Sequence, residues 1–173
     1  MKRVFKMILG IAAVMVWFGL KGGEPEPPAK GDSQVDFRNG LPKEIQKVLI
    51  SSEKFMLYSI NPEPVTGKTR WETFHEYRVL GKTPIADARQ KIALVNTLSE
   101  GVAHADSFAK CFNPRHAIRA TQGTNSIDLV VCFECRQVKA YSGRGDRWII
   151  PTTDDPKKLF DEVLKRSGVP LAK

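Results

Sequence analysis

The spacing of hydrophobic positions changes several times along the chain, and each spacing predicts a different kind of element. Residues 7–20 are uncharged and almost wholly apolar, whereas residues 23–40 are rich in Pro and Gly and hold few apolar side chains. From residue 41 onward, apolar residues recur at helical spacing in some segments and at alternate positions in others. The chain is therefore predicted to divide into residues 1–22, a flexible tether at 23–40, and a single folded domain at 41–173.

Three segments of this domain carry helical spacing. The first begins after Pro42, and the second begins after Asp87, which can cap it. The third begins at Asp155-Pro156 and ends at Gly168. Five other segments predict strands by alternation or by β-branched and aromatic content, at residues 55–60, 73–80, 117–121, 126–135 and 137–141. This order predicts an α+β fold, with an antiparallel sheet of about five strands and three helices packed mainly on one face.

The N-terminal segment has the layout of an export signal. Basic residues at positions 2, 3 and 6 precede the apolar run, which is the order found in secretory signals. The run from Val4 to Leu20 is also close to the roughly 17–25 residues that a membrane helix needs, and no A-x-A-like cleavage site follows it. The protein is therefore predicted to be exported. It would be either secreted or periplasmic, or anchored to the membrane by a signal or anchor helix at residues 4–20.

The net charge limits the kinds of partner that the domain can take. The chain has a formal charge of +8, but without residues 1–23 it holds 23 basic and 19 acidic residues, a charge of +4. These basic residues are scattered and form no stripe with interleaved aromatics, which argues against a nucleic-acid partner. We expect the partners to be an envelope protein or ligand and, through the N-terminal segment, the membrane.

All three cysteines fall in two neighbouring motifs, Cys111-Phe-Asn-Pro-Arg-His116 and Cys132-Phe-Glu-Cys135. An exported domain reaches an oxidising space, so two of these thiols could pair. An odd number of cysteines leaves one of them without an intramolecular partner. The simplest interpretation of the two motifs is therefore a purely structural one, either a disulfide or packed thiols.

A hairpin that closes at Gln122-Gly123 suggests which cysteines would pair. It places Cys111 and Cys132 as diagonal neighbours about 7–8 Å apart, slightly beyond the separation that a disulfide prefers. Pro114 interrupts strand pairing and could bend the chain enough to close that gap. Cys111 and Cys132 are therefore the disulfide candidate, with Cys135 at the end of an unbroken strand and facing the core.

Two other chemistries fit the same residues. Cys111, His116, Cys132 and Cys135 are the nitrogen and sulfur ligands that suit zinc, which would then be the cofactor; the disulfide interpretation needs none. Alternatively, Arg115 and His116 could lower the pKa of a neighbouring thiol and make it redox-active. The candidate functional cluster therefore comprises these five residues.

Three segments resemble a family of uncharacterised bacterial exported proteins: residues 74–83, residues 111–119 with the string CFNPRH, and residues 128–135 with the string CFEC. The resemblance covers most of the chain from Phe55 onward. It implies export and draws attention to the cysteine motifs, but it implies no activity. This chain has Glu76 and Ala117 where the family has glycine, so neither position is expected to need a positive φ.

Two hypotheses about function follow from these observations. The first is a non-enzymatic binding or structural module of the cell envelope, stabilised by its cysteine region. The second is a thiol- or zinc-dependent activity centred on Cys111, His116, Cys132 and Cys135. Exposure of these side chains distinguishes the two, because an enzyme needs them at an open cleft and a structural role needs them buried and paired.

Overall fold

A computed structural model describes residues 36–173. The predicted signal or anchor segment at residues 1–22 and most of the predicted tether lie outside the described residues. Among the helices of residues 36–173, none combines the length and the apolar character needed to cross a bilayer. The first element is a turn of 3-10 helix at Phe37–Asn39, and the Phe37 side chain packs against the main core, so the described fold begins before Leu41.

The described residues form three helices and one seven-stranded sheet. The strands are β1 (Lys54–Pro64), β2 (Thr73–Phe74), β3 (Tyr77–Pro84), β4 (His116–Gln122), β5 (Asn125–Cys132), β6 (Gln137–Ser142) and β7 (Arg147–Pro151). The helices are α1 (Lys43–Ser51), α2 (Ala88–Ala103) and α3 (Lys157–Arg166). The strand order is β2-β3-β1-β4-β5-β6-β7, and every neighbouring pair is antiparallel. The α+β class and the antiparallel sheet are confirmed, but the sheet has seven strands rather than about five.

The two additional strands have different origins. The segment predicted as one strand at 73–80 is divided by a tight turn, in which His75 adopts a positive φ of 51° and Phe74 pairs with Tyr77. The other addition is β7, which the sequence analysis did not predict. Its Trp-Ile-Ile run has the aromatic and β-branched content of a strand, and it pairs along its whole length with β6.

The main core lies between the sheet and the three helices. Alternate residues of β5, at positions 127, 129 and 131, face this core together with residues from every helix. Its largest fully buried side chains are Ile45, Leu49, Leu57, Leu94, Leu98, Ile118, Leu129, Ile150, Phe160 and Leu164. The placement of the helices mainly on one face is thereby confirmed.

A second, smaller core covers part of the opposite face of the sheet. Its buried members are Tyr58, Ile60, Phe74, Tyr77, Ala117 and Val130. His75, at the tip of the β2–β3 hairpin, reaches across β1 and β4 to β5, where its Nε2 lies 3.0 Å from Asp128 Oδ2. The sheet must therefore curl, so that the hairpin folds over the face that carries no helices.

Asp128 of β5 binds the tip of this hairpin. Arg119 donates two hydrogen bonds to its carboxylate, at 2.7 and 2.6 Å, and His75 stacks on Tyr141 with ring centroids 4.1 Å apart. Burial raises the pKa of the Asp128 carboxyl, but the hydrogen bonds from Arg119 and His75 outweigh burial and leave that pKa below its usual range. The carboxylate is thus held in its charged form between two donors.

The observed pairing of β4 with β5 is shifted by two residues from the predicted register. Gln122 pairs with Asn125 across a tip at Gly123-Thr124, and Gly123 has a φ of 55°. Because side chains alternate with a period of two, a shift of two leaves every residue on its predicted face. It does change the partners, and Arg119 now lies directly opposite Asp128 rather than diagonal to it.

Gly101 provides a test of how closely α2 approaches the start of α3. A Cβ atom at this position would lie 2.8 Å from Cγ of Pro156 and 2.9 Å from Oγ1 of Thr152. We expect Gly101→Ala to lower the free energy of unfolding by about 1–3 kcal/mol through overpacking, although alanine is the better helix former. Urea denaturation measures the change. The control is Asn96→Ala on the exposed side of α2, which should be neutral or slightly stabilising, and a more stable Gly101→Ala variant would contradict this packing.

Candidate functional site

The two cysteines of the Cys132-Phe-Glu-Cys135 motif flank a turn. β5 ends at Cys132, which pairs with Gln137 of β6, and the four residues between them form the hairpin connection. Arg136 takes a positive φ of 55°, and its N–H donates to the carbonyl of Phe133 at 3.1 Å. The strand predicted to run unbroken to Cys135 therefore stops three residues earlier. The turn brings Cys135 back beside Cys132, with their Cα atoms 5.3 Å apart.

Cys132 and Cys135 form a disulfide in the structure, and each residue is only 1% exposed. The disulfide is therefore not the predicted Cys111–Cys132 pair. That prediction depended on an unbroken strand, which would have pointed Cys135 to the other face of the sheet. The turn removes this separation, so the two closest cysteines are also the two nearest in sequence.

Cys111 is the free and exposed cysteine, and it lies against this disulfide. Its Sγ is 3.0 Å from Sγ of Cys135. Asn113 makes two further contacts with the disulfide: its N–H donates to Sγ of Cys135 at 3.3 Å, and its carbonyl oxygen lies 3.3 Å from Sγ of Cys132. The three sulfur atoms thus form a chain of contacts in the order Cys132, Cys135, Cys111.

The loop that carries Cys111 is fixed on both sides of that residue. The N–H of Ala109 donates to the carbonyl of Cys135 at 3.0 Å. On the other side, Phe112 packs against the second core, where its ring centroid is 6.4 Å from that of Tyr77 and the Lys139 ammonium lies 3.9 Å from it. The sequence places an apolar anchor next to the exposed thiol, and this anchor positions the thiol over the turn.

Arg115 belongs to the same end of the sheet but is already paired. Its Nη1 donates to Oε2 of Glu134 at 2.7 Å and to the carbonyl of Asn113 at 3.4 Å. A second ion pair, from Arg136 to Asp106 at 3.1 Å, also joins the turn to the loop. Because Glu134 and Asp106 are largely exposed, these pairs contribute little to stability, but they favour one loop position.

His116 lies on the other face of the sheet, beneath α3. It is 3% exposed, its Nε2 is 2.8 Å from Asp161 Oδ1, and its ring packs edge-on against Phe133 and Phe160. Cys132 alternates with the core-facing residues of β5 and so lies on the opposite face. Of the five candidate residues, the structure brings Cys111, Cys132 and Cys135 together with Arg115 beside them, and it separates His116 from the sulfur atoms.

His116, the nitrogen ligand of the metal hypothesis, lies on the opposite face of the sheet from Cys132. Within residues 36–173, no group of three or more His, Cys, Asp or Glu side chains is arranged to hold a metal ion. The cavity beside His116, lined by Asn113, Arg115, His116, Phe133, Glu134 and Lys157, measures about 10 Å³, about the space of one water molecule. Zinc binding stays a prediction, and Cys111 is the exposed one of the three cysteines.

Asp161 is a residue that the sequence analysis missed. It accepts a hydrogen bond from His116 and another from Lys157, whose Nζ lies 2.8 Å from Oδ2. The hydrogen bond from His116, opposed by burial and supported by Lys157, lowers the pKa of Asp161 to about 2. The partners His116 and Asp161 are 45 positions apart, and neither motif nor periodicity links them.

Comparisons of the chain with protein-family models, with curated proteins and with solved structures find no match. The resemblance of the cysteine motifs to uncharacterised bacterial exported proteins therefore stays a prediction.

The His116–Asp161 pair predicts a pH dependence of stability. Because folding lowers the pKa of Asp161 from 3.8 to about 2, its contribution is complete above about pH 5 and is lost progressively as the pH falls towards about 2. We expect Asp161→Asn to lower the free energy of unfolding at pH 7 by about 2 kcal/mol, the usual worth of a hydrogen bond to a charged group. Chemical denaturation between pH 7 and pH 2 measures this. The variant should show a shallower acid-induced loss, whereas the control Glu162→Gln should follow the wild-type curve.

Proposed function

We propose that the domain is a thiol–disulfide exchange module of an exported protein, in which the Cys111 thiol exchanges with the Cys132–Cys135 disulfide. The observation that carries this proposal is the 3.0 Å contact between the exposed Sγ of Cys111 and the buried Sγ of Cys135. Exchange requires a thiolate to reach one sulfur of a disulfide, and here the attacking and attacked atoms are already in contact.

The exchange step conserves atoms and electrons. The exposed Cys111 thiol loses its proton to solvent water, and the thiolate attacks Sγ of Cys135. A new S–S bond forms between Cys111 and Cys135 while the bond between Cys132 and Cys135 breaks, and the electron pair leaves on Sγ of Cys132. That sulfur then takes up a proton, so the module as a whole is neither oxidised nor reduced.

Backbone groups are placed to support Cys132 as the leaving sulfur. The N–H of Cys135 donates to Sγ of Cys132 at 3.1 Å, which stabilises the negative charge that develops there. Once protonated, the Cys132 thiol has the carbonyl oxygen of Asn113 within 3.3 Å as an acceptor. Both the thiolate and the thiol of Cys132 therefore have a hydrogen-bond partner close at hand.

The step also changes which sulfur faces solvent. Before exchange, the disulfide is buried and the free thiol is exposed; after it, the disulfide includes exposed Cys111 and the free thiol is at buried Cys132. A thiolate of another molecule can then attack Sγ of Cys111, forming a mixed disulfide and releasing Cys135 as a thiolate. A second thiol of that molecule would complete its oxidation and leave the module reduced.

The competing hypothesis is that the cysteines only stabilise a binding or structural module. The Cys132–Cys135 disulfide would then fix the turn, and Cys111 would have no chemical role. The two hypotheses differ in what they require of Cys135: exchange requires it to pair with either neighbour, whereas a static role requires only its bond to Cys132.

Serine variants test whether Cys135 is the shared sulfur. In Cys132→Ser, we expect the two remaining cysteines to form a Cys111–Cys135 disulfide, so that intact mass and alkylation without reductant find no free thiol. In the matched variant Cys135→Ser, we expect two free thiols, because only Cys135 contacts both of the other sulfur atoms. Free thiols in Cys132→Ser would contradict the proposal. Metal analysis of wild-type protein purified without reductant accompanies the test, since zinc held by three thiolates would also contradict it.

The second test measures oxidation of a dithiol by the purified oxidised protein. We expect wild-type protein to oxidise a peptide that carries two cysteines, and Cys111→Ser to do so at least about tenfold more slowly, because its disulfide has no exposed sulfur. Mass spectrometry of the acid-quenched reaction should trap the mixed disulfide at Cys111. The control is Ser107→Ala in the same exposed loop, which should react as wild type. An unchanged rate in Cys111→Ser would contradict the exchange proposal and favour the structural hypothesis.

A further inference from the structure

A groove lies at the end of the sheet opposite to the sulfur atoms. It runs between α1 and the tips of the β4–β5 and β6–β7 hairpins, and its volume is about 640 Å³. Ligand sites commonly occupy about 300–1,000 Å³, so the groove has room for a small molecule. β5 begins at this groove and ends at Cys132, so the groove is separated from the sulfur atoms by the length of the strand.

The floor of the groove is apolar and includes one aromatic side chain. Val48, Ile127 and Trp148 line it, and all three belong to the main core or pack against it. The Trp148 side chain is only partly buried, which leaves some of its surface available to a ligand. An indole held by core packing is a rigid apolar surface that costs little entropy to bind against.

The polar wall carries charges of both signs that cancel. Glu44 and Lys47 come from α1, and Arg144 and Asp146 come from the β6–β7 turn. The turn residues are already partnered, because Arg144 donates to Asn125 at 3.2 Å and Ser142 donates to Asp146 at 3.0 Å.

Other wall residues keep their hydrogen-bonding capacity. In the described part of the chain, five polar wall side chains on the groove make no hydrogen bond or ion pair: Glu44, Lys47, Gln122, Thr124 and Ser126. Together they offer a carboxylate acceptor, an ammonium donor, and an amide and two hydroxyls that can each donate and accept. A ligand that fits this set needs many groups of both kinds but no net charge.

We propose that this groove binds a short neutral oligosaccharide. A sugar ring combines an apolar C–H face, which can pack on Trp148, with a rim of hydroxyls that donate and accept at the same time. The cancelled charges of the wall disfavour polyanions such as nucleic acids, and the polar wall disfavours a lipid chain. The aromatic floor and the mixed donor set together therefore select a neutral polyhydroxylated ligand over these classes.

The test is a titration of the ¹⁵N-labelled protein with maltotriose, cellotriose and triacetylchitotriose, followed by amide chemical shifts. We expect at least one of these probes to shift the amides of Val48, Ser126 and Arg144 and the Trp148 indole N–H, with a Kd of about 1 mM or tighter. Trp148→Leu should weaken that binding at least about tenfold. The control is Trp71→Leu, because Trp71 is 45% exposed but lies outside the groove.

Trp148 also packs against the core, so a second variant separates binding from folding. The double substitution Glu44→Ala, Ser126→Ala changes only wall residues and should weaken the same probe several-fold while the remaining amide spectrum stays that of the wild type. The proposal is overturned if no probe shifts the groove amides, if the shifts lie elsewhere, or if both the Trp148→Leu and the wall variants bind as tightly as the wild type. Failure here leaves the cysteine experiments unaffected.

Discussion

Arg136 holds a left-handed backbone conformation, with a φ of 55°, at the end of the turn between β5 and β6. A residue with a Cβ atom pays a free-energy cost for this conformation, and the surrounding contacts offset it. Its N–H donates to Phe133, its carbonyl accepts from the N–H of Thr152 at 3.0 Å, and its side chain pairs with Asp106. The position of Cys135 beside Cys132, and hence the contact with Cys111, depends on this one reversal of the chain.

The sheet divides the conspicuous side chains of the cysteine motifs between two environments. On the helix face, His116 and Asp161 form a buried pair that joins β4 to α3. On the other face, Phe112 packs into a second core that exists only because the β2–β3 hairpin curls over the sheet and is held there by Asp128. Phe112 thus packs on one face of the sheet, and His116, four residues later, is buried on the other.

This division places the three sulfur atoms together and leaves His116 apart from them. Two of the three sulfur atoms are buried, and the exposed sulfur of Cys111 is in contact with one of them. The loop carrying that sulfur is fixed by an aromatic anchor and by bonds to the turn rather than by regular structure. The groove at the far end of β5 is built from different residues, so the proposed binding and the proposed exchange involve separate parts of one domain.

The sequence by itself determined the α+β class, the helix starts at Asp87 and Asp155-Pro156, and the face of each β5 residue, because periodicity and capping are local properties. It also identified the two cysteine motifs as the candidate functional site. Only the tertiary structure decided the cysteine pairing, the separation of His116, and the partnership of that histidine with Asp161. The cysteine pairing depends on a four-residue turn that contains none of the usual turn-forming residues. The position and partner of His116 depend on contacts between segments distant in sequence, which no local pattern predicts.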